Sequence, residues 1–409
     1  MLKQGKNMKP IVKSLALSAI ASSVVMAGGY KIPEQSLNSM ALGAAYVAHT
    51  DGADTSYFNP ANMVFMGEKQ YVDGAITLAH LPSNIYSLGA ASGETETENI
   101  LIPNFHYVSA PMGDFRWGVS LTAPGGLTKR WETPYQKAFA EEFTLKIIEL
   151  NPTVSYKVME NLSIGGGVRL VYSEGVVKND AFGIGMPLKV DMEGDTVEFG
   201  YNLAVTYKPT ADINIAATYR SNVDLNEEGT ATITYPVGSP TGTTVTGDAG
   251  VSVPLPAALN IAISKTWNGT FTLEAVYERT YWSSYETLEF TNTNLPISSK
   301  NWMDTNTFRI GATVELEKIT MMMGFAIDET PVPVENLGFE LPDTDAKIFS
   351  MGFRYQQNEN LSWGAALLLD SKEALSMPRG INGNPILANG GTFSGGGAIL
   401  TTIGASYEF

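Results

Sequence analysis

The chain has 409 residues, a net charge of −16 and no cysteine, which excludes disulfides and thiolate metal sites. Its 40 Gly, 18 Tyr, 17 Phe and 6 Trp beside only 17% charged residues favour a fold of many strands and turns, while a mean hydropathy of −0.02 excludes a bundle of membrane-spanning helices. The acidic balance also excludes nucleic acid as a partner, because no basic stripe is present to neutralise phosphates.

The N-terminus has the three parts of a secretory signal peptide. A lysine-rich stretch is followed by the 13-residue apolar run SLALSAIASSVVM and then by small residues at 27–29. The apolar run is shorter than the roughly 18 residues that a membrane-spanning helix needs. We therefore predict a signal peptide over residues 1–27, cleaved after Ala27, which places the mature chain outside the inner membrane.

Residues 28–68 differ from everything that follows them. They are rich in small residues, do not alternate, and contain Asn59, Pro60 and Ala61 inside an apolar stretch. Pro60 fixes its own φ and withholds one backbone donor, which fits either an ordinary turn or helix start or a part of a movable element. A segment of about 40 residues ahead of a first barrel strand can fold into the lumen. We therefore predict a plug over residues 28–68.

From residue 69 onward the sequence alternates with a period of two, which is the signature of strands. In DTVEFGYNLAVTY, for example, an apolar face from Val197 to Tyr207 opposes a polar face from Glu198 to Thr206. The strand lengths suit the roughly 9 to 11 residues with which a tilted strand crosses a bilayer. Fourteen strands are predicted, at 69–79, 102–111, 114–123, 147–158, 161–173, 197–208, 212–221, 254–265, 269–279, 305–317, 318–328, 346–356, 360–370 and 397–409.

The connections between these strands fall into two alternating classes. Tight turns such as PMGD, VMEN and WNGT alternate with long polar loops at about 80–101, 124–146, 174–196, 222–253, 280–304, 329–345 and 371–396. This asymmetry is typical of an outer-membrane barrel and not of a Greek-key sandwich. We therefore predict an all-β fold over residues 69–409: a 14-stranded antiparallel transmembrane β-barrel in the bacterial outer membrane, plugged by the N-terminal segment.

The barrel surface and the chain end predict the partners. The apolar strand faces should contact outer-membrane lipid, including lipopolysaccharide, because charge there is costly. The last strand ends on Phe409, and a terminal aromatic residue resembles the signal that the outer-membrane assembly machinery recognises. We expect a monomer that carries no cofactor.

Five arginines lie on polar strand faces, where they would point into the lumen: Arg116, Arg169, Arg220, Arg309 and Arg354. Of these, we predict Arg116, Arg169, Arg309 and Arg354 as residues that bind an anionic head group of a substrate. The alternative is a set of structural ion pairs, because a polar barrel interior needs counter-charges. The acids considered for that role are those of the plug and the lumenal Glu198, Glu274 and Glu315.

An enzyme and a general diffusion porin are the rival interpretations. The chain has only three histidines, His49, His80 and His106, and no two are close in sequence. The sequence therefore indicates neither a nucleophile–base pair nor a metal site, and we predict no catalytic and no metal-binding residues. A porin needs an open lumen, which the predicted plug argues against. A third interpretation, an adhesin or phage receptor that acts through the long loops, is compatible with transport.

Several stretches carry a family resemblance. The longest is GYKIPEQSLNSMALGAAYVAHTDGADTSYFNPANM, and TAPGGLTKRW, VPLPAALNIAIS and LPDTDAKIFSMGFRY follow it along the chain. In this order they resemble the FadL/TodX family of outer-membrane transporters for hydrophobic compounds, and the first is similar to the family's N-terminal hatch. The resemblance implies a 14-stranded barrel closed by a hatch with gating residues Phe58, Asn59, Pro60 and Ala61.

The resemblance also implies a transport route. A lipophilic substrate would bind among the outer loops, enter an internal pocket, and leave sideways through a gap in the wall at a kink in the third strand. Gly118 is the predicted kink, since a missing side chain weakens pairing; alternatively, Gly118 only relieves crowding against the plug. Long-chain fatty acids are the expected substrates. An aromatic-hydrocarbon channel and a surface receptor or adhesin are alternatives, because Ala346 replaces an Arg of many relatives and Ser173-Glu174 adds no basic residue.

Overall fold

The computed structural model describes residues 28–186, 188–235, 244–293, 295–377 and 390–409. The predicted signal peptide at 1–27 lies outside the described residues. No helix within these ranges has both the length and the apolar character that crossing a membrane requires.

Fourteen antiparallel strands form a closed barrel, which confirms the predicted fold class and strand count. Each strand pairs with the next, and the first also pairs with the last from Tyr71↔Glu408 to His80↔Ile399, so the ring of strands is closed. The strands are β1 Tyr71–Leu81, β2 Glu98–Val108, β3 Phe115–Arg130, β4 Glu142–Met159, β5 Leu162–Asp180, β6 Lys189–Thr210, β7 Ile213–Arg220, β8 Ala258–Trp267, β9 Phe271–Thr280, β10 Thr305–Glu315, β11 Ile319–Asp328, β12 Ala346–Gln356, β13 Leu361–Lys372 and β14 Ala398–Glu408.

Side chains alternate between the two surfaces of the barrel, as the sequence predicted. On β6, Phe199 and Leu203 are 58% and 56% exposed, whereas Asn202 and Thr206 on the opposite face are buried. The exposed face of every membrane-spanning strand is mainly apolar because its natural solvent is lipid. We call the end with the short turns the turn end and the other the loop end.

The N-terminal segment, residues 28–68, lies inside the ring of strands. It forms helix α1 Leu37–Ala41, helix α2 Thr55–Phe58 and a 3₁₀ helix Pro60–Phe65, and most of its side chains are buried. Ser350 of β12 donates to the carbonyl of Ala41 (2.9 Å). Across the lumen, Ser163 of β5 donates to the carbonyl of Ala61 (2.7 Å). Contacts to opposite walls place the segment in the lumen.

The loop end contains more β-structure than predicted. β3 to β6 continue past the predicted boundaries, and the predicted loop 222–253 contains strands Val223–Thr234 and Thr244–Leu255. These two strands pair with each other, and the first of them also pairs with β6. Apolar residues alternate only along the part of each strand that faces lipid, whereas the hydrogen bonds between strands continue beyond the membrane. The smaller loop elements are helix α3 Pro134–Ala140, 3₁₀ helices Gly89–Ala91, Phe182–Ile184, Trp282–Ser284 and Val334–Asn336, and strands Asn84–Ser87, Gly93–Glu94, Thr287–Leu288, Phe290–Thr291, Ser298–Ser299, Leu375–Met377 and Gly391–Gly395.

Candidate functional site

An aromatic cluster, Tyr30, Trp282, Tyr285 and Trp302, joins the start of the N-terminal segment to the loops. The ring centroids are 4.8 Å apart for Tyr30 and Trp282 and 5.0 Å apart for Trp282 and Trp302. A side chain on Gly29 would meet the Trp282 ring at 2.6 Å, so the backbone itself packs against this ring. The cluster is continuous with a larger buried apolar core at the loop end, which includes Leu225, Leu255, Val332 and Phe339.

A buried charged group follows the aromatic cluster along the segment. Lys31 lies 2.7 Å from a carboxylate oxygen of Glu278, and Arg309 lies 3.4 Å from the same oxygen. Nε and Nη1 of Arg309 are buried and have no hydrogen-bond partner among the described residues. Glu34 is also buried without a hydrogen-bond partner in the described part of the chain, and burial raises the pKa of Glu34 to about 7. Two donors of Arg309 therefore have no partner among the described residues, in the charged group that follows the aromatic cluster along the segment.

The other three predicted head-group arginines point into the lumen, but protein groups occupy their donors. Arg169 pairs with Glu149 at 2.9 Å and donates to the carbonyl of Ser221. Glu149 also pairs with Arg220, whose guanidinium lies 4.2 Å from the ring centroid of Tyr57. This ion network therefore ties β4, β5 and β7 to helix α2.

Arg354 and Arg116 fix the segment at two further points. Arg354 pairs with Asp73 at 2.6 Å and donates to Asn38 of α1 and to Ser406. The fully buried Arg116 donates to three backbone carbonyls, those of Met63, Lys69 and Ser109. The predicted partner Glu274 instead accepts hydrogen bonds from the backbone N–H groups of residues 47–49. These contacts agree with the alternative prediction, in which the lumenal arginines form structural ion pairs and hydrogen bonds instead of binding a substrate.

The Asn-Pro-Ala stretch is a helix start, with Asn59 as its cap. The Asn59 side chain accepts from the N–H of Ala61 (3.2 Å), while its amide donates to the carbonyl of Val47 (2.8 Å) and to the hydroxyl of Thr206 on β6 (2.9 Å). Asn59 therefore joins two parts of the segment to the barrel wall. Phe58 packs edge-on against Tyr57 and Tyr46 within the segment.

We expect Gly165→Ala on β5 to loosen the segment without unfolding the barrel. A methyl group there would lie 2.5 Å from the backbone nitrogen of Ala61, closer than atoms can approach. Limited proteolysis of the folded protein should then cleave residues 28–68 roughly tenfold faster. Gly74→Ala on β1 is the control, since its methyl group would meet its nearest neighbour at 3.8 Å. Equal cleavage of the two variants would contradict the role of this contact.

The barrel wall has a gap between β2 and β3. The two strands pair only from Phe105↔Leu121 to Val108↔Gly118, although both continue towards the loop end. The register of β3 against β4 shifts between Thr122 and Gly125. This bulge lies just beyond the last β2–β3 pair, where a bulge disrupts regular strand pairing. The N-terminal segment takes the free positions: Ile32 donates to the carbonyl of Pro124, and Gly126 donates to that of Tyr30.

Gly118 was predicted to be the kink in β3, but it is regularly paired with Val108 on β2 and with Thr153 on β4. A side chain at Gly118 would lie 2.7 Å from Cβ of Ser56 and 2.9 Å from Sδ of Met63. Gly118 therefore makes room for the segment, which was the alternative expectation. The irregularity itself lies at Thr122–Gly125, beyond the end of the β2–β3 pairing.

Two side-chain groups are not apparent from the sequence because they join distant parts of the chain. His49, Asp51 and Glu315 place their ligand atoms within 4.8 Å of one another at the turn end and could hold a divalent cation. Both acids are exposed, and Nε2 of His49 lies 3.7 Å from a carboxylate oxygen of Glu315. His106 lies 3.0 Å from the hydroxyl of Ser120, and its second nitrogen contacts a backbone carbonyl rather than a carboxylate. This pair is therefore not a catalytic triad.

Comparison with known proteins agrees with this architecture. The family model described as outer membrane protein transport protein (OMPP1/FadL/TodX) matches residues 18–409. A long-chain fatty acid transport protein of Escherichia coli O6:H1 is 24% identical over 84% of this chain and 87% of its own length. Outer membrane protein P1 of Haemophilus influenzae is 26% identical over 86% and 89% of the two chains.

Solved structures share the fold. A FadL homologue of Pseudomonas aeruginosa superposes with a TM-score of 0.80 at 18% identity, over 93% of this chain and 99% of the other. The toluene transporter TodX of P. putida superposes with a TM-score of 0.71 at 17% identity, over 91% and 98%. At these identities the likeness is one of fold.

Proposed function

The chain belongs to the outer membrane protein transport protein family (OMPP1/FadL/TodX), and we propose that it takes up long-chain fatty acids across the bacterial outer membrane. The barrel lies in that membrane, as its relatives' names and its outer surface indicate. We infer further that residues 1–27 are a signal peptide, that residues 28–68 act as a hatch, and that the protein catalyses no reaction.

In the proposed route, the substrate enters the apolar core at the loop end and passes the aromatic cluster. It leaves sideways through the gap between β2 and β3 when the hatch moves. Lateral exit suits such a ligand, because each CH₂ group transferred to water would cost about 0.8 kcal/mol. The contacts of Tyr30 and Ile32 with β3 support this route, since the hatch itself fills the gap. Phe58, Asn59, Pro60 and Ala61 are the proposed gating residues.

One observation carries the choice of a fatty acid: two buried donors of Arg309 have no partner among the described residues, in the charged group that follows the aromatic cluster along the N-terminal segment. An apolar wall next to a cation suits a ligand with an apolar tail and an anionic head. Arg309 is therefore the proposed head-group ligand, whereas the partners of Arg116, Arg169 and Arg354 support structural roles for these three. Glu34 nearby would oppose an anion only when charged, and its raised pKa reduces that charge at neutral pH.

An aromatic-hydrocarbon channel is the second candidate function. The four-ring cluster favours it, because aromatic ligands stack edge-on against such rings. The two candidates differ in the part that Arg309 plays, since a neutral hydrocarbon has no group for its donors. A surface receptor or adhesin has no feature of the described loops in its favour.

We expect Arg309→Met to weaken binding of oleate to the purified protein roughly tenfold, because a charge-assisted hydrogen bond contributes about 1.5 to 3 kcal/mol. Binding of toluene should not change. Quenching of tryptophan fluorescence reports both, since Trp282 and Trp302 lie in the cluster. Arg279→Met is the control, because Arg279 pairs with Asp304 on the outer side of the neighbouring strand. Unchanged oleate binding in Arg309→Met would remove this residue from the site.

The remaining partners follow from the surface. We propose contact of the apolar band with outer-membrane lipid and lipopolysaccharide, recognition of the last strand by the assembly machinery, and a monomeric state. Phe409 supports the second, because its side chain is 64% exposed while its N–H donates to the carbonyl of Gln70.

A further inference from the structure

The carboxamide of Gln35 takes the place of a strand residue at the gap. Its nitrogen donates to the carbonyl of Ala123 (2.8 Å), and its oxygen accepts from the N–H of the same residue (2.8 Å). These are the two hydrogen bonds that a neighbouring strand would provide, and β2 does not provide them because its pairing with β3 ends at Phe105↔Leu121. One side chain therefore satisfies the strand edge where the wall is open.

Gln35 also contacts the other side of the gap. Nε2 of His106 on β2 lies 2.8 Å from the backbone carbonyl of Gln35. Because a carbonyl can only accept, this nitrogen of His106 carries a proton. Gln35 and His106 are both almost fully buried, so water does not replace these bonds. Residue 35 thus links β2 to β3 across the gap.

The link continues to the gating residues through two hydroxyls. Nδ1 of His106 accepts from Ser120 on β3 (3.0 Å), and the hydroxyl of Ser120 lies 2.7 Å from that of Ser56 in α2. Helix α2 ends one residue before Asn59. A displacement of α2 would therefore disturb Ser120 and His106 and, through them, the position of Gln35.

We propose that Gln35 is the latch that closes the lateral gap, held in position by His106 and released when α2 moves. Gln35 acts here as a positioning residue and need not touch the substrate. The inference rests on the proposed lateral exit. The bulge at Thr122–Gly125 leaves β3 unpaired with β2 but does not close the gap. In this proposal Gln35 closes the gap, and its release opens the wall.

Labelling from the lipid phase tests the latch. A single cysteine is introduced at Asn104, a buried position on β2 beyond the last β2–β3 pair, in a chain that has no other cysteine. The protein is reconstituted in phosphatidylcholine vesicles and treated with N-(1-pyrenyl)maleimide, which partitions into the bilayer. Gln35→Ala should accelerate labelling roughly tenfold, since it removes the bonds that close the gap. The control Gln136→Ala removes a buried Gln of α3 and should leave the rate unchanged.

The same rate in Gln35→Ala and in the parent would overturn the proposal. If the alanine variant fails to insert, Gln35→Glu is used in the same labelling assay. Glutamate has nearly the shape of glutamine but places a carboxylate against the carbonyl of Ala123. The labelling rate of Gln35→Glu relative to the parent should fall at acidic pH, where the protonated carboxyl can donate again; a ratio that is constant with pH would equally overturn the latch. No substrate is present in this assay, so faster labelling of Gln35→Ala in a protein that takes up no oleate would support the latch and count against the proposed function alone.

Discussion

A Ser56→Cys/Ser120→Cys variant is expected to lose oleate uptake roughly tenfold or more when oxidised and to regain it with dithiothreitol, because the proposed route requires residues 28–68 to move as a hatch. The two hydroxyl oxygens are 2.7 Å apart and buried, so cysteines at these positions can approach disulfide geometry. The bond would join α2 of the hatch to β3 of the wall. Uptake of labelled oleate by whole cells measures the effect.

The matched control joins two wall strands instead. The hydroxyls of Thr77 on β1 and Thr402 on β14 are also 2.7 Å apart, and the two residues are directly paired. An oxidised Thr77→Cys/Thr402→Cys variant leaves the hatch unattached and should transport normally. The native chain has no cysteine that could form other disulfides. Full uptake by completely oxidised Ser56→Cys/Ser120→Cys protein would show that the hatch need not move against β3.

Asn59→Ala is expected to reduce oleate uptake about fivefold, which corresponds to about 1 kcal/mol, the net contribution of one hydrogen bond. The variant loses the cap of the 3₁₀ helix and the bonds to Val47 and Thr206, so the parts of the hatch no longer move as one unit. The initial uptake rate in cells with equal amounts of inserted protein is the measurement.

Asn62→Ala is the control for this prediction. Asn62 donates to the carbonyl of Ala48 and the hydroxyl of Thr50, so both of these side-chain bonds stay within the N-terminal segment. It should therefore reduce uptake less than Asn59→Ala. If both variants transport equally, the bond to Thr206 has no part in gating.

The barrel could be predicted from the sequence because lipid imposes a strict rule on one strand face. Phe199 and Leu203 had to alternate with polar residues, and the structure places them on the outside. The rule ends at the membrane surface, which is why Val223–Thr234 and Thr244–Leu255 were predicted as loop. Their pairing depends on neighbours in space rather than on an apolar period.

The candidate site was less predictable, because its contacts join residues far apart in the chain. The lumenal direction of Arg354 followed from alternation, but its partner Asp73 is 281 positions away and is set by barrel closure. The sequence likewise gave no sign that Tyr30 meets Trp282 or that Gln35 replaces a strand residue. Gly118 was assigned to the kink from its missing side chain, whereas the bulge follows from a register shift that no single residue type encodes.

Uptake of labelled oleate and of toluene by cells with and without this protein decides whether it transports fatty acids. We expect oleate uptake to require the protein, and we expect oxidised Ser56→Cys/Ser120→Cys protein not to support it. If only toluene uptake requires the protein, the same route serves aromatic hydrocarbons and Arg309 is not a head-group ligand. If cells with correctly inserted protein take up neither compound faster than cells without it, the protein does not have the proposed uptake function.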